Sequence, residues 1–287
     1  MAPPSPPVAA WELGVRLREA RERAGFDSAG AAEIVAVTQN YISNVEHGRR
    51  RIAEDKLLVL LHAYGIRGRQ QDSALSLRRA CEGRGWWSDY SRVFGTDMVR
   101  FFGFEHGASD VWTYEGNLIS GLLQTEDYAR AVLSSDSANV RASEIEPRLA
   151  ARMHRQSRLT GDDPVNLTVL LAESALYQQV GGPRVLAGQL ERLLYLVEML
   201  PTNLDVRIIP FTAGAHAALG GSTLHLFSFP SARLVRLAWN ETITSLNLVE
   251  SPERVQQYSA AFGEALGLSA DREDSERIIR RAIRHIT

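Results

Sequence analysis

The sequence predicts an α+β protein, in which an all-α N-terminal domain is followed by a mixed α/β C-terminal domain. In the first 67 residues, apolar side chains recur at helical spacing in short runs that end at glycines. Beyond residue 164, short segments rich in β-branched residues alternate with longer helical patterns. The 287 residues, of which 45% are apolar, are enough for a separate core in each domain.

The N-terminus, MAPPSPPVAA, has four prolines in its first seven residues and neither a charged nor an apolar signal-peptide region. We therefore expect residues 1–10 to form a disordered tail. Cys81 is the only cysteine, which excludes an intrachain disulfide and a cysteine metal cluster. Because no apolar run approaches the ~18 residues of a spanning helix, we expect a cytoplasmic protein without a membrane partner.

Three of the first four helices follow from apolar stripes and their stop signals. The first carries Leu13, Leu17, Ala20 and Ala24 and ends at Gly25. Asp27 or Ser28 can cap a second helix that runs through Ile34. The fourth contains Leu57, Leu60, Leu61 and Tyr64 and ends at Gly65.

The segment TQNYISNVEHGRRR, residues 38–51, predicts the third helix and the most informative one. Ile42 and Val45 share its inner side, and short polar side chains occupy the outer side: Gln39, Asn40, Ser43 and Asn44. Asn and Ser are poor helix formers, so their presence on an exposed face needs another reason. Asn and Gln can pair with adenine in the major groove, and Ser can pair with any base. We interpret these four residues as base-reading, the alternative being an ordinary surface helix.

The ends of this helix suit contact with the DNA backbone. Thr38 is a fitting N-cap at the positive end of the helix dipole, where phosphate binds favourably. Gly48 stops the helix, and Arg49, Arg50 and Arg51 follow at once. We expect Thr38 and these three arginines to hold phosphates without reading sequence.

The four helices together resemble the Cro/C1-type (XRE) helix-turn-helix regulators over roughly residues 11–66. The resemblance is to the form in which an arginine of the first helix pairs with the glutamate before the stop glycine, here Arg21 and Glu46. It implies a helix-turn-helix DNA-binding domain over residues 11–67 and a double-stranded DNA operator as partner. One such domain offers little surface for high specificity, so we expect a homodimer.

Residues 68–110 predict a helical linker that contains Trp86 and Trp87. The tryptophan pair fits a plug at a domain interface or a shelf for a ligand, and the area that tryptophan buries favours the plug. Residues 111–287 then form the mixed α/β domain. Its predicted strands are 165–171, 204–209, 223–229, 234–239 and 242–248, and its predicted helices are 173–180, 185–200, 251–266 and 270–286.

Four motifs carry a second resemblance, from about residue 86 to the C-terminus: GLLQTEDYARAVL (121–133), LAESALYQQVGGP (171–183), QLERLL (189–194) and PFTAGAHAALGG (210–221). They are similar to the C-terminal domain (DUF5753-type) of actinobacterial regulators described as antitoxin-like. The resemblance implies a DNA-binding transcriptional regulator, often encoded beside a small partner protein, whose C-terminal domain receives a protein or ligand signal.

Charge and motifs argue for binding rather than catalysis. Residues 1–85 carry a net charge of +3 and the remainder −5, which suits a specific DNA binder better than a protein that coats nucleic acid. A lone His216 in a glycine-rich loop and Glu173 at a helix start are more simply structural, the first hydrogen-bonded and the second a cap. We expect no catalytic residue, no metal and no cofactor, and so no enzyme. The alternative is a small-molecule receptor or enzyme domain that carries a regulatory DNA-binding domain.

Overall fold

The structure, a computed structural model, describes residues 2–221, 223–242 and 245–286. Five helices come first: α1 (Pro6–Arg23), α2 (Ser28–Ile34), α3 (Gln39–Glu46), α4 (Glu54–Ala63) and α5 (Arg69–Ala80). We call these residues, 6–80, the head, and residues 86–286 the body. The helices of the body are α6 (Thr96–Gly107), α7 (Glu126–Ser135), α8 (Ile145–Arg155), α9 (Pro183–Met199), α10 (Pro252–Leu268) and α11 (Arg272–Ile286). Its strands are β1 (Asp110–Glu115), β2 (Asn166–Ala172), β3 (Leu204–Ile209), β4 (Thr223–Ser228), β5 (Leu237–Glu241) and β6 (Leu246–Val249).

The head forms its own core from the predicted apolar stripes. Buried side chains from α1, α3 and α4 meet there, including Leu13, Leu17, Ile42, Val45, Leu57 and Leu60. The two predicted caps are present: Asp27 Oδ1 accepts a hydrogen bond from the Gly30 amide at 2.7 Å, and Thr38 Oγ1 accepts one from the Tyr41 amide at 3.2 Å. The helical boundaries of α2 and α3 are therefore set by local hydrogen bonds that the sequence encodes.

The predicted disordered tail, 1–10, is wrong for residues 6–10, which form the start of α1; Met1 lies outside the described residues. Proline is well suited to the first position of a helix, because its fixed backbone angle is helical and it has no amide to leave unpaired. Ser5 Oγ donates to the Gly103 carbonyl at 2.6 Å, and a Cβ on Gly103 would lie 2.4 Å from Pro7 Cγ. This segment is ordered because it packs directly on α6.

One mixed sheet organises the body, with strand order β3-β2-β1-β4-β5-β6. β1, β2 and β3 are parallel, whereas β4, β5 and β6 continue the sheet antiparallel from β1. One face packs against α6 and α9 in the main core, and the other packs against α10, where Phe262 is fully buried. The sheet is therefore covered on both sides, and polar side chains on its inner faces need partners within the protein.

Several elements of the body differ from the sequence-based prediction, among them α8, which was not predicted. β1 was not predicted, and it is the strand that joins the parallel and antiparallel halves. The predicted helix 173–180 is only a single 3-10 turn, Glu173–Leu176, and the Glu173 carboxylate binds outside this turn. The predicted strand 234–239 begins at Leu237, and the predicted strand 242–248 is described only in part because residues 243–244 lie outside the described residues.

The predicted linker, 68–110, is helical but does not act as a free connection. α5 belongs to the head, because Arg16 Nη1 donates to Ser73 Oγ at 2.7 Å and Ala74 lies in the head core. α6 belongs to the main core of the body through Phe101 and Phe104. Within the described residues, every helix is too short or too polar to cross a membrane.

Candidate nucleic-acid interface

α3 presents the predicted base-reading residues on the side opposite the head core. Ile42 and Val45 are buried, Gln39 and Asn40 are exposed, and the two others, Ser43 and Asn44, are half-buried. Asn44 Nδ2 donates to Asn40 Oδ1 at 3.3 Å, which holds the two amides side by side along the helix. The face offers neighbouring amide donors and acceptors, the groups that read base edges.

The structural pair predicted from the sequence fixes α3 against α1. Arg21 Nε and Nη2 donate to Glu46 Oε1 and Oε2 at 2.6 Å and 2.9 Å, and both residues are buried. The hydrogen bond to Glu46 is the main cause that raises the pKa of Arg21. Arg18 adds a hydrogen bond from Nη2 to the Glu46 carbonyl at 3.1 Å. This bidentate, buried contact sets the orientation of the candidate recognition helix.

The three arginines after α3 are all exposed, as expected for phosphate contacts. Gly48 makes the turn that places them, since its φ is +62° and a Cβ there would lie 2.7 Å from the Trp11 amide nitrogen. Arg50 stacks over the Tyr41 ring, with 4.6 Å from its Cζ to the ring centroid. The run therefore begins at a rigid turn, and one of its arginines is held on α3 by an aromatic side chain.

The body contributes a residue to this surface that sequence reasoning missed. Glu250, directly after β6, places Oε2 at 3.6 Å from Arg49 Nη2 and Oε1 at 3.6 Å from Arg100 Nη2. Arg100 Nη2 also donates to the His47 carbonyl at 3.4 Å, and burial lowers the pKa of its guanidinium. No local motif identifies Glu250, because its neighbours at this surface come from distant parts of the chain.

Aromatic packing joins the head to the body behind the arginine run. Trp11 of α1 makes edge contacts with Phe104 and Phe229, with ring centroids 6.1 Å and 5.4 Å apart. Trp87 lies buried in the same core, and Trp86 stacks on the His154 ring at 4.4 Å. The tryptophan pair is therefore part of the packing that holds the first helix against the body.

The family motifs of the body are explained largely by internal hydrogen bonds. Gln124 Nε2 donates to the Ile119 carbonyl at 2.7 Å, and Gln189 binds the Thr125 amide and the Leu123 carbonyl. Glu173 was expected to cap its own helix, but it instead accepts from Arg281 Nη2 at 2.8 Å and from the Phe211 amide at 2.9 Å. The contacts of Gln189 and Glu173 join segments that lie far apart in the sequence, whereas the contact of Gln124 is local.

Comparison with known protein families finds a match for two parts of the chain. Residues 98–281 match the model of a domain of unknown function, DUF5753. The chain belongs to the DUF5753 family. Residues 12–75 match a helix-turn-helix domain, so this DUF5753 protein carries a DNA-binding head of that type. Neither the curated proteins nor the solved structures contain a match to the chain.

In this DUF5753 protein, the ring Nδ1 of the lone histidine in the glycine-rich loop is not hydrogen-bonded as expected. His216 Nδ1 is buried and has no hydrogen-bond partner among the described residues, and its ring makes an edge contact with Tyr114 at 5.9 Å.

Burial raises the pKa of the Cys81 thiol to about 11, so this thiol is a poor nucleophile.

Proposed function

We propose that the protein is a sequence-specific transcriptional regulator of the Cro/C1 (XRE) type that places α3 in the major groove of an operator. The observation that carries the proposal is the outward polar face of α3. The buried hydrogen bonds between Arg21 of α1 and Glu46 of α3 hold this helix in place. Asn40 and Ser43, with Gln39 and Asn44, would read bases, and Thr38 with the three following arginines would hold phosphates. Such a protein acts in the cytoplasm, on the nucleoid.

Gel shift tests this function with the DNA upstream of the protein's own gene and a fragment of equal length from inside a coding region. The upstream fragment should bind with at least about a thousandfold higher affinity at physiological salt, which is the lower range for specific regulators. Equal affinity for both fragments would contradict sequence specificity. Identification of the genomic fragments bound in the cell would then give the operator itself.

The working form is proposed to be a homodimer. Two heads would reach half-sites about 34 Å apart on one side of the DNA. The pairing surface is proposed to lie in the body, because the short helices of the head pack into one core of their own. Light scattering that gives a monomer, both free and on a palindromic operator, would contradict this.

The body is proposed to receive a signal by binding, without catalysis, and the antitoxin-like resemblance favours a small protein encoded nearby as the partner. Glu250 supports transmission of a signal from the body to the head, since it follows the last strand of the body and pairs with Arg49 of the head. A tenfold change in operator affinity requires about 1.4 kcal/mol of coupling. The test is an operator titration with and without the neighbouring protein; unchanged affinity, with no complex on a sizing column, would remove this partner.

A second candidate, a body that receives a small molecule, is favoured by a different observation. The Glu115 carboxylate at the end of β1 is buried in the body, where it accepts a hydrogen bond from Thr223 Oγ1 at 2.7 Å, and burial raises its pKa to about 8. A retained metabolite in the purified protein would favour this candidate over the protein partner.

A further inference from the structure

A cavity of about 270 Å³ opens in the head beside the arginine run, between α1, the end of α3 and the end of α5. Its buried lining is apolar and consists of Leu13, Val45, Ile52 and Cys81. The Cys81 thiol already donates to the Leu77 carbonyl at 3.1 Å. Because a cavity of about 150 Å³ holds a benzene molecule, this one suits a ligand of about ten non-hydrogen atoms.

The solvent-facing edge of the cavity is positively charged. Arg50 and Arg51 are exposed there, and Arg78 and Glu82 complete the edge. Arg78 Nη1 donates to Glu82 Oε1 at 2.9 Å and lies 3.4 Å from Glu54 Oε2, so the Glu82 charge is neutralised within the edge. Within the described part of the chain, no carboxylate pairs with Arg50 or Arg51. Two positive charges therefore remain in excess.

The walls of the cavity are fixed by contacts within the head. Arg78 Nε donates to the Ile52 carbonyl at 3.2 Å, which ties the loop after the arginine run to α5, and α5 packs on α1. Burial is the main cause that raises the pKa of the Cys81 thiol, and the positive charges of Arg51 and Arg78 act in the opposite direction. The positive field of the edge thus reaches the apolar wall of a preformed cavity.

We propose that this cavity binds an apolar carboxylic acid of about ten non-hydrogen atoms. Its hydrocarbon part occupies the apolar end, and its carboxylate pairs with Arg50 and Arg51 at the edge. An amine of the same size would be repelled by the arginines, and an alcohol would leave them unpaired. A sugar or a nucleotide would place hydroxyl groups against apolar side chains that offer no hydrogen bonds.

The bound acid would compete with DNA, because Arg50 and Arg51 are also proposed to hold phosphates. A ligand that binds only the DNA-free protein lowers the apparent affinity for DNA. The acid would therefore release DNA directly at the head. This competition rests on the proposed function, whereas binding of the acid does not.

Isothermal titration calorimetry of the full chain with matched probes tests the site. Phenylacetate and octanoate are acids of the expected size, and phenethyl alcohol and phenethylamine replace the acid of phenylacetate by a neutral and by a positive group. We expect both acids to bind at millimolar concentration. The alcohol should bind about tenfold more weakly than phenylacetate, because it loses the pairing with two exposed arginines, and the amine should not bind.

Two pairs of variants locate the bound acid. Arg51→Gln should weaken phenylacetate binding about fivefold, and Arg79→Gln, an exposed arginine of α5 outside the cavity, is its control. Cys81→Phe fills the apolar end and should abolish binding. Cys81→Ser is its control, since it preserves both the volume and a donor to the Leu77 carbonyl.

Fluorescence anisotropy with a DNA duplex of arbitrary sequence measures the competition. Phenylacetate at about ten times its dissociation constant should weaken DNA binding by wild type and Cys81→Ser about tenfold, and should not weaken binding by Cys81→Phe. Sodium acetate at the same concentration controls for the effect of salt on DNA binding. Equal effects of acetate and phenylacetate would overturn the competition.

The proposed site is overturned if neither acid binds at millimolar concentration, if the alcohol binds as tightly as phenylacetate, or if folded Cys81→Phe binds phenylacetate as wild type does. If the melting curve shows that Cys81→Phe does not fold, Arg51→Gln decides. Operator binding without acid binding overturns only this site. Acid binding without sequence-specific DNA binding overturns only the proposed function.

Discussion

Arg49 of the head lies 3.6 Å from Glu250 of the body, so one of the candidate phosphate-binding cations is already paired with a carboxylate of the same chain. The Arg49 side chain is 52% exposed and that of Glu250 is 15% exposed. Because Arg49 remains accessible, a DNA phosphate can replace Glu250 as its partner. If Arg49 binds phosphate as proposed, Glu250 of the body competes with DNA for its guanidinium, at a modest energy.

Glu250→Gln should therefore strengthen operator binding. Exposed ion pairs are worth about 0.2–1 kcal/mol, so we expect an increase in affinity of about 1.4- to fivefold, measured by fluorescence anisotropy at fixed salt. Glu253→Gln, an exposed residue of the next helix, is the control and should leave affinity unchanged. Equal effects of the two substitutions would mean that net charge, not the contact with Arg49, sets the affinity.

Arg50→Ala should weaken binding to specific and non-specific DNA alike. A phosphate contact carries no sequence information, and its loss releases fewer counterions, so the salt slope should fall by about one unit. Arg79→Ala removes an exposed arginine of α5 and serves as the control. A change in sequence preference caused by Arg50→Ala would assign it a base-reading role instead.

The sequence predicted what depends on local chemistry. The cap at Thr38 and the stop at Gly48 were predicted from short patterns, and the structure contains them. The cap of α2, predicted at Asp27 or Ser28, is Asp27, and the pair Arg21–Glu46 is present as the family resemblance implies. The predicted fold class, an all-α head followed by a mixed α/β body, is also confirmed.

The features that sequence reasoning missed depend on contacts between distant segments. Residues 6–10 are ordered because they pack on Gly103, which lies nearly a hundred positions away in the sequence. No local pattern predicts this contact.

β1 has two buried polar residues on one face, Thr113 and Glu115, which accounts for its weak hydrophobic pattern. The Thr113 hydroxyl hydrogen-bonds to His225 of β4. Glu250 likewise meets Arg49 of the head and Arg100 of α6 only through tertiary packing, which no local pattern encodes.

Glu46→Gln should lower the stability of the full chain markedly. Removal of the Glu46 charge leaves the buried Arg21 with only the exposed Glu22, at 3.6 Å, as a charged partner, at a cost of about 3–5 kcal/mol. The measurement is the first thermal transition by circular dichroism, with Glu33→Gln, exposed on α2, as the control. An unchanged transition in Glu46→Gln would show that the pair does not hold α3 in place.

His225 should make stability depend on pH. Burial is the main cause that lowers its pKa to about 3, with the Arg155 guanidinium adding to it; Thr113, Phe101 and Trp239 are its uncharged neighbours. A lowered histidine pKa favours the neutral form, so its stability contribution is complete above pH 6.5 and is lost as pH falls from 6.5 towards 3.

The comparison is between wild type and His225→Gln, which isolates this residue from the opposite effect of Glu115. The unfolding free energy of wild type, relative to the variant, should fall by about 2 kcal/mol between about pH 7.5 and about pH 5. Urea unfolding at the two pH values measures it. A difference that is independent of pH would show that His225 titrates normally.

The central claim, that α3 reads DNA bases, is tested most directly by selection of bound sequences from a random DNA library, with wild type and Asn40→Ala. We expect wild type to enrich one consensus with two half-sites. Asn40→Ala should enrich the same consensus with the preference lost at one position of each half-site, equivalent to about 1–3 kcal/mol. No consensus for wild type, or an identical consensus for both proteins, would contradict the account.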